Sequence, residues 1–272
     1  MSSQPAMSQS ERVLSIDFFR GVTMFLLIGE STRMFHHLGT ISDSGVINFI
    51  ATQLTHHEWN GLNFWDLIQP FFMTIVGVAI PFSIAARQKK GESNGAILRH
   101  AIKRSFILLL LGWGVYCIGP GKIVWRFQDV LAQLSVTYLV AFLLVNKSVR
   151  FQISFTIIIL LLIDLAYRFF PVEGFNQPWV AYKNLGAWFN QLVEGTDKTS
   201  IWATLNFVST TAHTVWGALV GKLLISKKSS NDKIKILCAT GFLCLLIGFS
   251  LDWFHITPII KKIATSSFVF AS

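Results

Sequence analysis

The chain has 272 residues, of which 52% are hydrophobic and only 14% charged, with a formal net charge of +9. A soluble domain carries about a quarter charged residues, so this composition, with a mean hydropathy of +0.53, excludes an ordinary soluble enzyme. Three cysteines, Cys117, Cys238 and Cys244, all in apolar segments and without metal-ligand spacing, exclude a disulfide framework and suggest no metal.

The first eleven residues are polar and lack a basic n-region, so they are not read as a cleaved signal peptide. Residues 1–12 are expected to form a cytoplasmic N-terminus and 13–272 a single membrane domain. Apolar segments follow at 13–34, 64–86, 104–119, 129–146, 152–170, 202–225 and 234–251, with an incomplete one from about 263. Runs such as "FTIIILLLIDLAYRFF" approach the ~20 residues needed to cross a bilayer and do not alternate as barrel strands do. The expected fold is an all-α polytopic transmembrane bundle of about eight helices. No internal repeat is evident, and the short last segment marks either a half-helix or a truncated chain.

The first segment begins "RVLSIDFFRG", which places Asp17 and Arg20 three apart on one helix face. They form either an ion pair near the interface or part of a substrate path. The second is preceded by "HHEWNGLNFWDLIQPFF". Asn63 suits an N-cap, Asp66 the third helical position of a capping box, and an acid there suits the helix dipole. Pro70 is expected to perturb the second turn, and Gly77 to permit close helix packing. His56, His57 and Glu58 are either interfacial loop residues, with Trp59 a belt anchor, or a reaction centre in which a histidine takes a proton or an acyl group.

Later segments carry Asp164 in "LLIDLAYRFF" and, in "NFVSTTAHTVWGALVGKLL", Asn206, Ser209, Thr210, Thr211 and His213. His213 is a candidate cavity-lining residue. Gly217 and Gly221, four apart, favour tight contact with another helix.

Basic residues sort by loop. Arg87, Lys89, Lys90, Arg99, Lys103, Arg104, Lys147, Arg150, Lys222, Lys227, Lys228, Lys233 and Lys235 fall on one side. Arg33, Lys122, Arg126, Arg168, Lys183, Lys198, Lys261 and Lys262 fall on the other. The positive-inside rule assigns the first set and the N-terminus to the cytoplasm, and the His56 segment to the far side. The charge is therefore read first as topology and not as a nucleic-acid footprint; the alternative is that the basic loops meet a nucleotide phosphate.

The pair "RVLSIDFFRGVTMFLL" and "HHEWNGLNFWDLIQPFFMTIVGVAIPFS" resembles the heparan-α-glucosaminide N-acetyltransferase family and its bacterial relatives, some of them labelled N-acetylglucosamine-related transporters. Ser15, Asp17, Phe19, Arg20 and Gly21 match the first element of the family pattern. His56, Trp59, Asn60, Gly61, Leu62, Asp66, Leu67, Pro70, Phe71, Phe72 and Gly77 match the second. The stretch "DVLAQLSVTYLVAFLL" is similar to the family's fourth helix and "IIKKIATSSFVF" to the start of a late one. The chain departs from the pattern at Ala132 and Gln133, where the family has Gln-Arg, and at Ser31, where it has Asn. Family chains also continue for several helices beyond the position of Ser272.

The resemblance implies transfer of acetyl from cytosolic acetyl-CoA, as co-substrate, to an amino sugar or glycan on the far side of a membrane, expected to be the bacterial inner membrane. It implies His56 as the catalytic residue, and Asp17, Arg20, Trp59, Asn60, Asp66 and His213 are the candidate substrate-binding residues. The lipid bilayer is the expected partner, and a homodimer is an allowed assembly. The alternative function is a sugar or muropeptide transporter using the same polar residues as a binding site.

Overall fold

The computed structural model describes residues 14–32, 34, 35, 37, 44–118, 121, 123, 126–194 and 200–272. The expected N-terminal segment 1–12, and the loop cations Arg33, Lys122 and Lys198, lie outside the described residues. Those described are helical, with no strand among them. The helices are α1 (Leu14–Ser31), α2 (Gly45–Gln53), α3 (Ile68–Lys89), α4 (Asn94–Ile118), α5 (Val130–Leu144), α6 (Val149–Arg168), α7 (Leu185–Glu194), α8 (Asn206–Ile225), α9 (Ser230–Trp253) and α10 (Ser266–Ala271). A 3-10 turn, Phe64–Leu67, leads into α3, and another, Lys261–Ile263, precedes α10.

Among the described residues, four segments are individually long and apolar enough to cross a membrane: Phe64–Lys89, Asn94–Ile118, Val149–Arg168 and Ser230–Trp253. Their outer faces expose Phe106, Leu110, Leu161, Leu162, Phe242 and Leu246. Water does not tolerate so continuous an apolar surface, whereas lipid does. The chain is an integral membrane protein.

Helices α3 and α8 form the closest pair at the centre. A Cβ at Gly77 would collide with the Thr214 carbonyl, one at Gly217 with that of Thr74, and one at Gly221 with that of Val78. Glycine is what lets these backbones approach, as the spacing predicts. Around the pair, α5 joins α8 through Thr214 Oγ1 donating to Thr137 Oγ1 at 3.1 Å. Helix α6 joins α8 through Trp216 Nε1 donating to Thr156 Oγ1 at 3.0 Å. The buried polar face of α8 is partly self-satisfied, since Thr210 and Thr211 bond the carbonyls of Asn206 and Phe207.

The sequence reading differs from the structure at several points. Pro70 does not disturb its helix. The 3-10 turn delays the start of α3 to Ile68, so Pro70 sits in the first α-helical turn, where a missing N–H costs nothing. The proline inside α3 is Pro81, whose ring packs near Gly221. Helix α4 begins ten residues before its apolar core, because the charged stretch from Asn94 to Arg104 is also helical. Short helices α2 and α7 lie in the connections and carry too few residues to register as apolar segments.

The helix ends fall into two groups. At the end rich in basic residues, Lys222 Nζ donates to the Val145 carbonyl at 2.9 Å, and Arg87 pairs with Glu92 at 2.8 Å. At the other end, Arg168 Nε donates to Asp164 Oδ2 at 2.7 Å, and Thr257 Oγ1 donates to Asp164 Oδ1 at 3.1 Å. That network ties the end of α6 to the chain before Lys261, and it accounts structurally for Asp164.

Candidate active site

The site is built where the start of α3 meets the Lys261–Ile263 turn. Asn63 and Asp66 form a capping box, with the Asn63 N–H donating to Asp66 Oδ2 at 3.0 Å. The His57 N–H donates to the same oxygen at 3.2 Å. Asn63 in turn anchors the preceding chain, donating through Nδ2 to the carbonyls of Thr52 and Thr55. Local hydrogen bonding alone therefore fixes Asp66, which is 1% exposed.

The other carboxylate oxygen serves the site. His56 Nδ1 lies 3.0 Å from Asp66 Oδ1, and Lys261 Nζ lies 3.5 Å from it. Lys261 Nζ is also 3.2 Å from His56 Nδ1. An ammonium has no lone pair, so Lys261 is the donor in each of its contacts, with Asp66 Oδ1 and with His56 Nδ1. In the tautomer that carries its proton on Nδ1, His56 donates a charge-assisted bond to Asp66 and keeps a lone pair on Nε2. The imidazole meets the rings of Trp202 and Trp65 edge-on, at centroid distances of 5.1 and 6.3 Å. It remains 36% exposed on its open side.

Lys261 is 6% exposed and sits 5.5 Å from the centre of the Trp202 ring. Burial lowers its pKa to about 8, against the opposing pull of Asp66. Burial also lowers that of Lys262, whose Nζ donates to the Glu58 carbonyl. The turn carrying both lysines is fastened to its surroundings by backbone bonds. The Gly61 N–H donates to the Ile259 carbonyl at 2.8 Å, and the Ala203 N–H to that of Lys262 at 2.9 Å. Asn206 Nδ2 donates to the Lys262 carbonyl at 2.9 Å.

His57 points elsewhere. Its imidazole lies against Gly61, where any Cβ would strike the ring, and Gly61 has a φ of +142°, which a side chain would rarely adopt. Trp59 donates from Nε1 to the Trp179 carbonyl at 2.7 Å and packs against the cluster around Tyr167. Asn60 is exposed at the mouth.

Asp17, Arg20 and His213 are not brought to His56. Asp17 and Arg20 pair at 3.4 Å, half exposed, and Asp17 lies about 20 Å along α1 from Glu30, the α1 residue whose charge acts on Lys261. His213 lies about 10 Å further along α8 than Asn206, fully buried, with Nε2 3.0 Å from Ser272 Oγ. Sequence reasoning treated Lys261 and Lys262 as loop charges and passed over Trp202. Among the described residues, no cluster of His, Cys, Asp or Glu is arranged to hold a metal.

No family model matches the chain. It is 31% identical to heparan-alpha-glucosaminide N-acetyltransferase of Mus musculus over 143 residues, 49% of this chain and 19% of that protein. It is 32% identical to the Homo sapiens protein of the same name over 139 residues, 47% of this chain and 18% of that one. The chain is a relative of heparan-alpha-glucosaminide N-acetyltransferase. The two relatives support the resemblance read from the motifs over about half of this chain, and the match takes in less than a fifth of each relative's length.

Proposed function

We propose that this chain forms the catalytic part of a membrane acetyltransferase, with acetyl-CoA as donor and an amino sugar or glycan amine as acceptor. The observation that carries this reading is the His56–Asp66 pair, an imidazole whose Nδ1 lies 3.0 Å from a buried carboxylate while its side chain stays 36% exposed. That is the arrangement of an oriented base. The relatives are named as N-acetyltransferases, which supports the same chemistry.

His56 Nε2 accepts the proton that the acceptor amine loses as its nitrogen bonds the acetyl carbon. It returns that proton to the thiolate sulfur as the carbon–sulfur bond breaks. If transfer runs in two steps, the same nitrogen is the one that carries the acetyl group. Asp66 holds the tautomer and balances the charge that develops on the ring. Asn60 and Trp202 are the groups at hand for the acceptor's hydroxyls and ring face. The distribution of basic loops supports a cytoplasmic N-terminus and a site on the opposite face, with the donor supplied from the basic side.

The test is transfer of labelled acetyl from acetyl-CoA to glucosamine in membranes carrying the protein, run beside sugar uptake in sealed vesicles. Acetylated product without uptake supports the proposal. Uptake without acetylation makes the protein a transporter.

A further inference from the structure

We infer that Lys261 is a positioning residue that competes with His56 for the charge of Asp66. The inference deepens the reading of His56 as the base, but its measurement does not require acetyl transfer. Three atoms define it. Asp66 Oδ1 stands 3.0 Å from His56 Nδ1 and 3.5 Å from Lys261 Nζ, and the two nitrogens stand 3.2 Å apart. Asp66 Oδ2 is already taken by the His57 and Asn63 backbone N–H groups. One oxygen of one buried carboxylate thus serves two nitrogen bases.

The charged groups facing this point come from every side. Glu30 approaches Lys261 from α1, Lys262 from the same turn, and Glu58 acts on Lys262 from the segment before α3. The charge of Asp66 also acts on Lys262, but the side-chain nitrogens within hydrogen-bond or ion-pair reach of Asp66 are those of His56 and Lys261. A second proton on His56 would place an imidazolium beside an ammonium, with a single carboxylate between them. Like charges at this separation oppose each other strongly where water is scarce. While Lys261 holds its proton, an ammonium stands 3.2 Å from the ring nitrogen that faces Asp66. Trp202 fixes the amine, since its ring lies 5.5 Å from Nζ and also contacts the imidazole.

The competition is measured without substrate. Diethyl pyrocarbonate acylates neutral imidazole, and mass spectrometry reads its reaction with His56 as a function of pH in membranes. In Lys261→Met and Lys261→Gln, Asp66 Oδ1 no longer faces the Lys261 ammonium, and the midpoint of His56 modification should rise by about one pH unit. Lys261→Arg keeps the charge and should leave the midpoint where it is in the unaltered protein. An unchanged midpoint in the two neutral variants overturns the inference, whatever happens to activity. Should neither neutral variant insert, His56→Gln supplies the reciprocal reading. Labelling of Lys261 by an amine reagent should then show a midpoint raised above about 8, and no rise overturns the inference. A shifted midpoint in a protein that transfers no acetyl would leave the charge competition standing while rejecting the proposed function.

Discussion

Two adjacent histidines with equal intrinsic chemistry are separated by what each touches. His56 reaches Asp66, Lys261 and Trp202, whereas His57 lies on Gly61 and contributes its backbone N–H to Asp66. Asp66→Asn keeps the size of the side chain but removes the charge that orients His56. A positioned base contributes roughly 10²–10⁴-fold in rate, so this variant should lose about a hundredfold or more in turnover at normal protein levels. Initial rates of labelled-acetyl transfer per unit of inserted protein check this, and retention of most activity would remove Asp66 from the mechanism. The capping signal at Asn63 and Asp66 was legible in sequence, and the family resemblance singled out His56, but the pairing of His56 with Asp66 was not legible, because the irregular entry between them leaves its side-chain directions open. Lys261 was not legible either, because its partner is 205 residues away and nothing local marks a lysine destined for burial.

At the scale of elements, the α3–α8 pair and the Lys261–Ile263 turn set the site. The glycine signal at Gly77, Gly217 and Gly221 was readable, since small residues at a spacing of four mark a close crossing. Which helices cross was not readable, because apolar segments look alike from outside. Gly217→Val should push α8 off the Thr74 carbonyl and destabilise the bundle by about 1–3 kcal/mol. A lower melting temperature in detergent checks it, and an unchanged one would mean that the pair is looser than drawn here. The turn makes a pH prediction. Lys261 titrates at about 8 in the folded chain against an ordinary 10.5. Between these values the unfolded chain binds the extra proton, so this residue's contribution to stability rises with pH across that window. Below about 8 both states are charged and the cost of burying the ammonium is fully present. Melting temperatures of the unaltered protein, relative to Lys261→Met, should therefore climb between pH 8 and 10. Parallel curves would argue against a buried, charged Lys261.

At the scale of the molecule, the all-α membrane class followed directly from composition, since long apolar runs have no other stable outcome in lipid. The short connecting helices α2 and α7 and the interior position of Pro81 did not follow, because each depends on tertiary neighbours and not on apolar length. The basic residues of 87–104, 147–150 and 222–235 gather at one end of the bundle and the His56 site at the other. If the basic end is cytoplasmic, Ser44→Cys, in a background lacking Cys117, Cys238 and Cys244, should react with an impermeant maleimide on intact cells. Labelling only after the cells are opened would invert the molecule.

The central claim is that His56, held by Asp66, is the base of an acetyl transfer. Its most direct test compares His56→Ala and His57→Ala in labelled-acetyl transfer from acetyl-CoA to glucosamine, normalised to inserted protein. The account predicts a loss of at least roughly a hundredfold for His56→Ala and near-full activity for His57→Ala, whose backbone bond to Asp66 survives the change. A fully active His56→Ala, or an inactive His57→Ala with normal insertion, would contradict it.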